Sequence, residues 1–151
     1  MSPITRNRVA VLHGVNFDQL ERRDASLYGG GSLSQLENQI QRWARELGLE
    51  PLFFQTNFEG EFVEQLHQLR ELADAALINA GAWTHYSRAI ADALAIVGKP
   101  AVEVHLSDVE NRDDWRRLSV FDGLVIAKVS GKGAEGYRDA LGLLATELGA
   151  D

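Results

Sequence analysis

The chain has 151 residues, 45% hydrophobic and 25% charged, the size and balance of one ordinary globular domain rather than a disordered segment. Its 22 acidic against 15 basic side chains leave a net charge of -7, which argues against general polyanion binding, because non-specific nucleic-acid contact needs excess cations. There is no cysteine, so disulfides, thiolate nucleophiles and Cys-ligated zinc are excluded, and no apolar run approaches the ~18 residues of a membrane span.

Residues 1–8 contain no apolar stretch of the kind a secretory signal needs, so they read as an N-terminal tail of a cytoplasmic protein. Val9 to His13 predicts a strand, short and β-rich. A long irregular stretch follows from Val15 to Gly31, exceeding the usual strand-to-helix loop, and residues 16–31 are expected to form an active-site lid. Leu33, Leu36, Ile40, Trp43 and Leu47 then recur at helical spacing, with Ser32 or Ser34 as the cap and Gly48 after the end. Pro51 to Gln55 is a second strand; Phe62, Leu66, Leu69 and Ala73 mark a second helix. Ala75 to Asn79 is a third strand, and Ile90, Leu94 and Val97 mark the helix after it. Gly98 and Pro100 close that helix and open a fourth strand, Ala101 to His105. A helical turn is expected over 113–117, a fifth strand over Leu124 to Lys128, and a last helix through Tyr137, Leu141, Leu144 and Leu148. Five strand–helix units in alternation predict an α/β fold, a single domain over 1–151 built on a flavodoxin-like, doubly wound, five-stranded parallel sheet.

In such a sheet ligands sit beyond the carboxyl ends of the strands. Three of the four histidines, His13, His85 and His105, fall in the segments at that edge. Glu103 and His105 are two apart on a strand and share a face, which suits a carboxylate orienting a general acid–base imidazole and equally suits a plain ion pair. The lid carries Arg22, Arg23 and Tyr28. A phenol acts as a base only when ionised, which close guanidiniums can favour, although a solvated basic stretch with a packing tyrosine has the same composition. Gly29, Gly30 and Gly31 can serve as a hinge or a plain connector. No His-Glu-x-x-His and no close His pair is present, so no metal site is expected. Gly131 to Gly136 has the Gly-x-Gly-x-x-Gly spacing of a dinucleotide loop, but the second strand with an acid ~20 residues on has no room to follow. These glycines are read as close helix–strand packing, with a weak anion nest as the lesser option.

Taken in order, the blocks resemble the type II 3-dehydroquinate dehydratase family, also called type II dehydroquinase. Asn16 with Arg23, Tyr28 and Gly29 is similar to its N-terminal motif. Phe54 to Gly60, Asn79 to His85 with Asp92, Glu103 to Ser107 with Arg112 and Arg116, and Gly131 to Tyr137 are similar to its four later blocks. The resemblance spans about Val9 to Leu148. It implies reversible dehydration of 3-dehydroquinate to 3-dehydroshikimate through an enolate, with no cofactor and no metal. By position, Tyr28 would be the base, held ionised by Arg23 with help from Arg112. Asn16 would orient a water at the enolate oxygen, and His105, oriented by Glu103, would protonate the leaving hydroxyl. Ser107 and the backbone near Leu106 would hold the substrate carboxylate, and Asn79, His85 and Arg116 its hydroxyls. Asp92 would reach a neighbouring subunit's site in a homo-oligomer, a dodecamer built of trimers. The expected partners are thus a small cyclic hydroxy-keto carboxylate and further copies of the chain, with no nucleic acid and no membrane.

The chain departs from the family pattern at Val15, Asp18, Glu21 and Ala25 in the lid, and at Ala91, Asp108, Glu110 and Leu118 elsewhere. Asp108 introduces an extra potential anion beside the carboxylate pocket. Three alternatives remain open on the sequence: a divergent member acting on a related cyclic hydroxy-keto acid, a non-catalytic ligand-binding paralogue, and a nucleotide binder using Gly131 to Gly136.

Overall fold

The computed structural model describes residues 6–149, so most of the expected N-terminal tail lies outside the described residues. Five strands form one parallel sheet in the order β2-β1-β3-β4-β5: β1 Arg8–His13, β2 Glu50–Gln55, β3 Ala75–Asn79, β4 Ala101–His105 and β5 Ala127–Ser130. The helices are α1 Ala25–Tyr28, α2 Leu33–Glu46, α3 Glu59–Leu72, α4 Arg88–Val97 and α5 Glu135–Gly149. The fold is the doubly wound α/β sheet that the alternation predicts.

The three central strands are almost continuously apolar because each is covered on both faces. Val9, Val11, Leu77, Val102 and Val104 pack under α2 and α5, through Ile40, Ala44, Leu141 and Leu144. Ala10, Leu12, Ile78 and Ala101 pack under α3 and α4, through Phe62, Leu66, Ile90 and Leu94. Each fully buried side chain of this size contributes roughly 1.5–3 kcal/mol of burial. Ser32 proves to be the cap of α2, in a reciprocal capping box with Gln35. Gly98 ends α4 in the left-handed region at φ 66°, which turns the chain into β4.

The expected fifth strand is displaced. Leu124 to Lys128 predicts it on apolar content, but Leu124 N–H closes a turn onto Phe121 O at 2.8 Å, and Leu124 and Ile126 are exposed. The pairing segment is Ala127–Ser130, whose residues Ala127 and Val129 pack on the core. At the sheet edge, ladder register overrides the apolar run. The Val15–Gly31 stretch is also less irregular than predicted. A 3-10 helix over Phe17–Arg22 plants Phe17 and Leu20 in the core, and α1 follows with no buried residue.

Candidate active site

The chemistry-bearing side chains gather beyond the carboxyl ends of β1, β3 and β4, beside the point where strand order reverses between β1 and β3. Arg23 and Tyr28 from the lid, Asn79 after β3, His85 from a 3-10 helix over Gly81–His85, His105 at the end of β4, and Leu106, Ser107, Arg112 and Arg116 beyond it line one cleft. Its volume is about 30 Å³. That is room for about two waters and not for a six-membered ring.

Tyr28 ends α1, whose first turn is capped by Asp24. Side-chain and backbone hydrogen bonds from Ser26 hold the Asp24 carboxyl below the usual carboxylate range. Arg23 Nη2 and Arg112 Nη1 each donate to the Tyr28 hydroxyl oxygen at 2.6 Å, and the Arg23 guanidinium also stacks 3.9 Å from the ring centroid. Both donors are cations, so the oxygen accepts two charge-assisted hydrogen bonds. Arg112 Nη1 also donates to Ser107 Oγ at 3.1 Å, joining the lid to the segment after β4.

His105 Nε2 lies 2.5 Å from Glu103 Oε2, as two residues on one strand face can. Glu103 is fully buried and accepts a second hydrogen bond from Ser119 Oγ at 2.8 Å; Ser119 Oγ in turn accepts from Phe121 N–H at 3.1 Å. The carboxylate thereby fixes the imidazole with Nε2–H turned away and leaves Nδ1 as the other ring nitrogen. The His85 ring lies nearly parallel to it, centroids 6.2 Å apart. His85 Nδ1–H donates to Leu118 O at 2.7 Å. Burial pushes the His85 imidazole below its ordinary range, against the opposing effect of that carbonyl. Trp115 meets His85 edge-on at 5.2 Å and stacks on Arg116 at 4.2 Å.

Three expected site residues do not line the cleft. Glu103 stands behind His105. Asn16 is exposed in a left-handed conformation at φ 72°, its backbone N–H donating to Asn57 Oδ1 at 2.8 Å. Asp92 is exposed on α4. Asp108 is no extra anion in the carboxylate pocket: its oxygens accept from Glu110 N–H and Asn111 Nδ2, capping a 3-10 turn over Val109–Asn111. The glycine block is not an anion nest. Gly131 and Gly133 N–H donate to Ser107 O and Leu106 O, both at 3.1 Å, and a Cβ on Gly136 would stand 3.3 Å from Val129 Cγ1. Close packing and backbone bonding account for it. Ser119 is a supporting residue that sequence reasoning gave no role; it sits 16 residues from the Glu103 side chain it holds, so spacing carries no signal for it.

Among the described residues, no group of three His, Asp or Glu side chains is placed to hold a metal ion, and no helix is long and apolar enough to cross a membrane. A wider groove of about 760 Å³ lies behind Tyr28, lined by Gln35, Asn38, Gln39 and Arg42 among others; it shares only Tyr28 and Leu106 with the cleft.

Comparison with known proteins agrees with this fold. Residues 7–145 match the family model described as dehydroquinase class II. The chain is 47% identical over 139 residues to a protein of Syntrophotalea carbinolica described as 3-dehydroquinate dehydratase, covering 91% of this chain and 93% of that one. It is 46% identical over 142 residues to a protein of the same description from Pelobacter propionicus, covering 93% and 95%. Among solved structures, the type II dehydroquinase of Propionibacterium acnes superposes with a TM-score of 0.88 at 36% identity, covering 96% of this chain and 99% of that one. With the fold and these matches in agreement, the chain belongs to the class II dehydroquinase family.

Proposed function

We propose that the protein catalyses the dehydration of 3-dehydroquinate to 3-dehydroshikimate as a hydro-lyase, the activity named for relatives 47% and 46% identical over most of its length. The observation that carries the assignment of residues is the double guanidinium contact on Tyr28 opposite the Glu103–His105 pair.

Tyr28 as phenolate takes the proton from C2, alpha to the ketone, and the C–H electron pair passes into an enolate. Ionising an ordinary phenol at neutral pH costs about 4 kcal/mol. The two guanidinium donors on the Tyr28 oxygen are the partners that a phenolate would keep. Collapse of the enolate restores the ketone, forms the C1–C2 double bond and expels the C1 hydroxyl, which leaves as water with a proton from His105, acting as an imidazolium that keeps Nε2–H on Glu103 and gives up its Nδ1 proton; return of the Tyr28 proton to His105 through solvent resets both groups. Asn16 orients a water toward the enolate oxygen. Ser107 and the Leu106 backbone hold the carboxylate, with Asn79, His85 and Arg116 on the hydroxyls.

Residues 16–31 act as the lid: Phe17 and Leu20 anchor its first half in the core, and the second half, with no fully buried residue in α1, carries Tyr28. The same reading makes the protein a cytoplasmic homo-oligomer, a dodecamer built of trimers. The exposed Tyr86, Trp115 and Leu118 beside His85 support it, as does the outward placement of Asp92.

The test is growth of enone absorbance when purified protein meets 3-dehydroquinate without added metal. Borohydride with substrate should leave the enzyme active, and Tyr28→Phe should remove most turnover while ligand binding persists. No absorbance change with wild-type protein refutes the assignment. Light scattering of the same preparation reads the subunit count.

A further inference from the structure

The proposed chemistry leaves two buried polar side chains unused, His13 and Tyr137, although both stand directly behind the cleft. His13 ends β1 and Asn79 ends β3, and the two are register partners in adjacent parallel strands. They project on the face where Val11 and Leu77 meet α5. Gly136 lets the first turn of α5 approach the sheet, since a Cβ there would stand a tight 3.3 Å from Val129 Cγ1. That approach seats the next residue, Tyr137, over the register pair. Its hydroxyl oxygen lies 2.8 Å from His13 Nε2 and accepts from Asn79 Nδ2 at 3.1 Å.

Donor and acceptor chemistry assigns the protons. Asn79 Nδ2 can only donate, so the Tyr137 O–H has His13 Nε2 as its acceptor. His13 therefore carries its own proton on Nδ1, a buried atom without a partner. Burial independently keeps this imidazole neutral, its pKa pushed down to about 3. Asn79 Oδ1 accepts from Gly81 N–H at 3.3 Å. One amide hydrogen and the amide oxygen are thus committed, and the second Nδ2–H is the donor left for a ligand. A flipped amide would set its NH2 against the Gly81 N–H, donor facing donor.

We infer that His13 and Tyr137 are positioning residues: their hydrogen-bonded chain locks the Asn79 amide so that it presents an N–H to the cleft and selects a substrate oxygen acting as acceptor. This rests on the reading of the cleft as the 3-dehydroquinate site. It also gives the Tyr that closes the Gly-x-Gly-x-x-Gly-Tyr block a role in the site from behind the sheet.

The experiment measures kcat and KM for 3-dehydroquinate in Tyr137→Phe, His13→Leu and His13→Gln, alone and combined with Asn79→Ala. Tyr137→Phe and His13→Leu should each raise KM about tenfold with a smaller change in kcat. His13→Gln, which keeps an acceptor near the position of Nε2, should restore most of the loss. In the Asn79→Ala background Tyr137→Phe should add almost nothing, because the relay acts through that amide. Equal costs in both backgrounds, or an unchanged KM in His13→Leu, overturn the inference. If Tyr137→Phe fails to fold, the His13 pair decides. Nitrogen-15 NMR of the unliganded protein tests the relay apart from activity: His13 should remain the Nδ1–H tautomer through the neutral range, and a protonated or Nε2–H ring overturns it. An unchanged KM in Asn79→Ala with the NMR signature intact rejects the substrate role while identifying the cleft reading as the part that failed.

Discussion

Arg112 and Tyr28 lie 84 residues apart in the chain, and their side chains meet at 2.6 Å. The same guanidinium nitrogen holds Ser107 Oγ at 3.1 Å. One cation therefore ties the segment that carries Tyr28 to the segment after β4. Tyr28 and Arg112 line the small cleft together with Asn79 and His105.

Arg112→Ala should lower kcat by about 10–100-fold, the loss of one charge-assisted hydrogen bond of about 1.5–3 kcal/mol. KM should rise as well, since Ser107 loses its partner. Arg112→Lys should recover only part of the rate, because a point charge cannot reach both oxygens with the guanidinium's geometry. Steady-state rates from enone absorbance check this. A wild-type rate in Arg112→Ala would remove Arg112 from the proposed clamp.

Ser119→Ala should lower kcat about tenfold while the protein stays folded. The substitution leaves Glu103 Oε1, which is fully buried, without its hydroxyl donor, so the carboxylate no longer holds His105 in one orientation. Ser119→Thr keeps the hydroxyl and should retain most activity. Melting temperature measured alongside separates this from a packing defect.

Gly29→Ala should loosen the lid without touching the core. Gly29 sits at φ 87° at the C-terminus of α1, and a Cβ there meets nothing within 4 Å. The cost is backbone strain alone, roughly 1 kcal/mol. The expected result is a change of about fivefold in kcat/KM with an unchanged melting temperature. Faster proteolysis between residues 23 and 31 should accompany it.

His13 should make the protein acid-sensitive above the carboxylate range. Its folded pKa of about 3 lies below the ordinary 6.5, so the unfolded chain binds a proton that the native state refuses. Stability from this group is complete above pH 6.5 and falls as pH drops toward 3, by on the order of 4–5 kcal/mol in all. Denaturant unfolding at a series of pH values should show the decline beginning near pH 6.5, and His13→Gln should flatten it. An identical profile in the variant would show that His13 titrates normally.

The sheet was legible because its central strands are short apolar runs bounded by Gly, Pro and polar residues, and β3 and β4 coincide with the predicted segments. β5 was not, because an exposed apolar run at Leu124 to Ile126 resembles a strand more than the true edge strand does. The Glu103–His105 pair was legible because strand period alone puts both on one face. Tyr137 occupies a helical core position and reads as packing. The one signal against that reading is that a buried phenol needs a partner for its hydroxyl.

The sequence by itself determined the alternation of elements, the parallel sheet, the edge where polar residues collect and, through its ordered motifs, the family. These depend on periodicity and local residue type, which a linear reading contains. Only the tertiary structure decided that Arg112 closes on Tyr28, that Ser119 backs Glu103, that Asp108 caps a turn and that Tyr137 bridges His13 and Asn79. Each depends on side chains from distant segments meeting within hydrogen-bond distance, and that is set by how helices seat on the sheet rather than by any spacing along the chain.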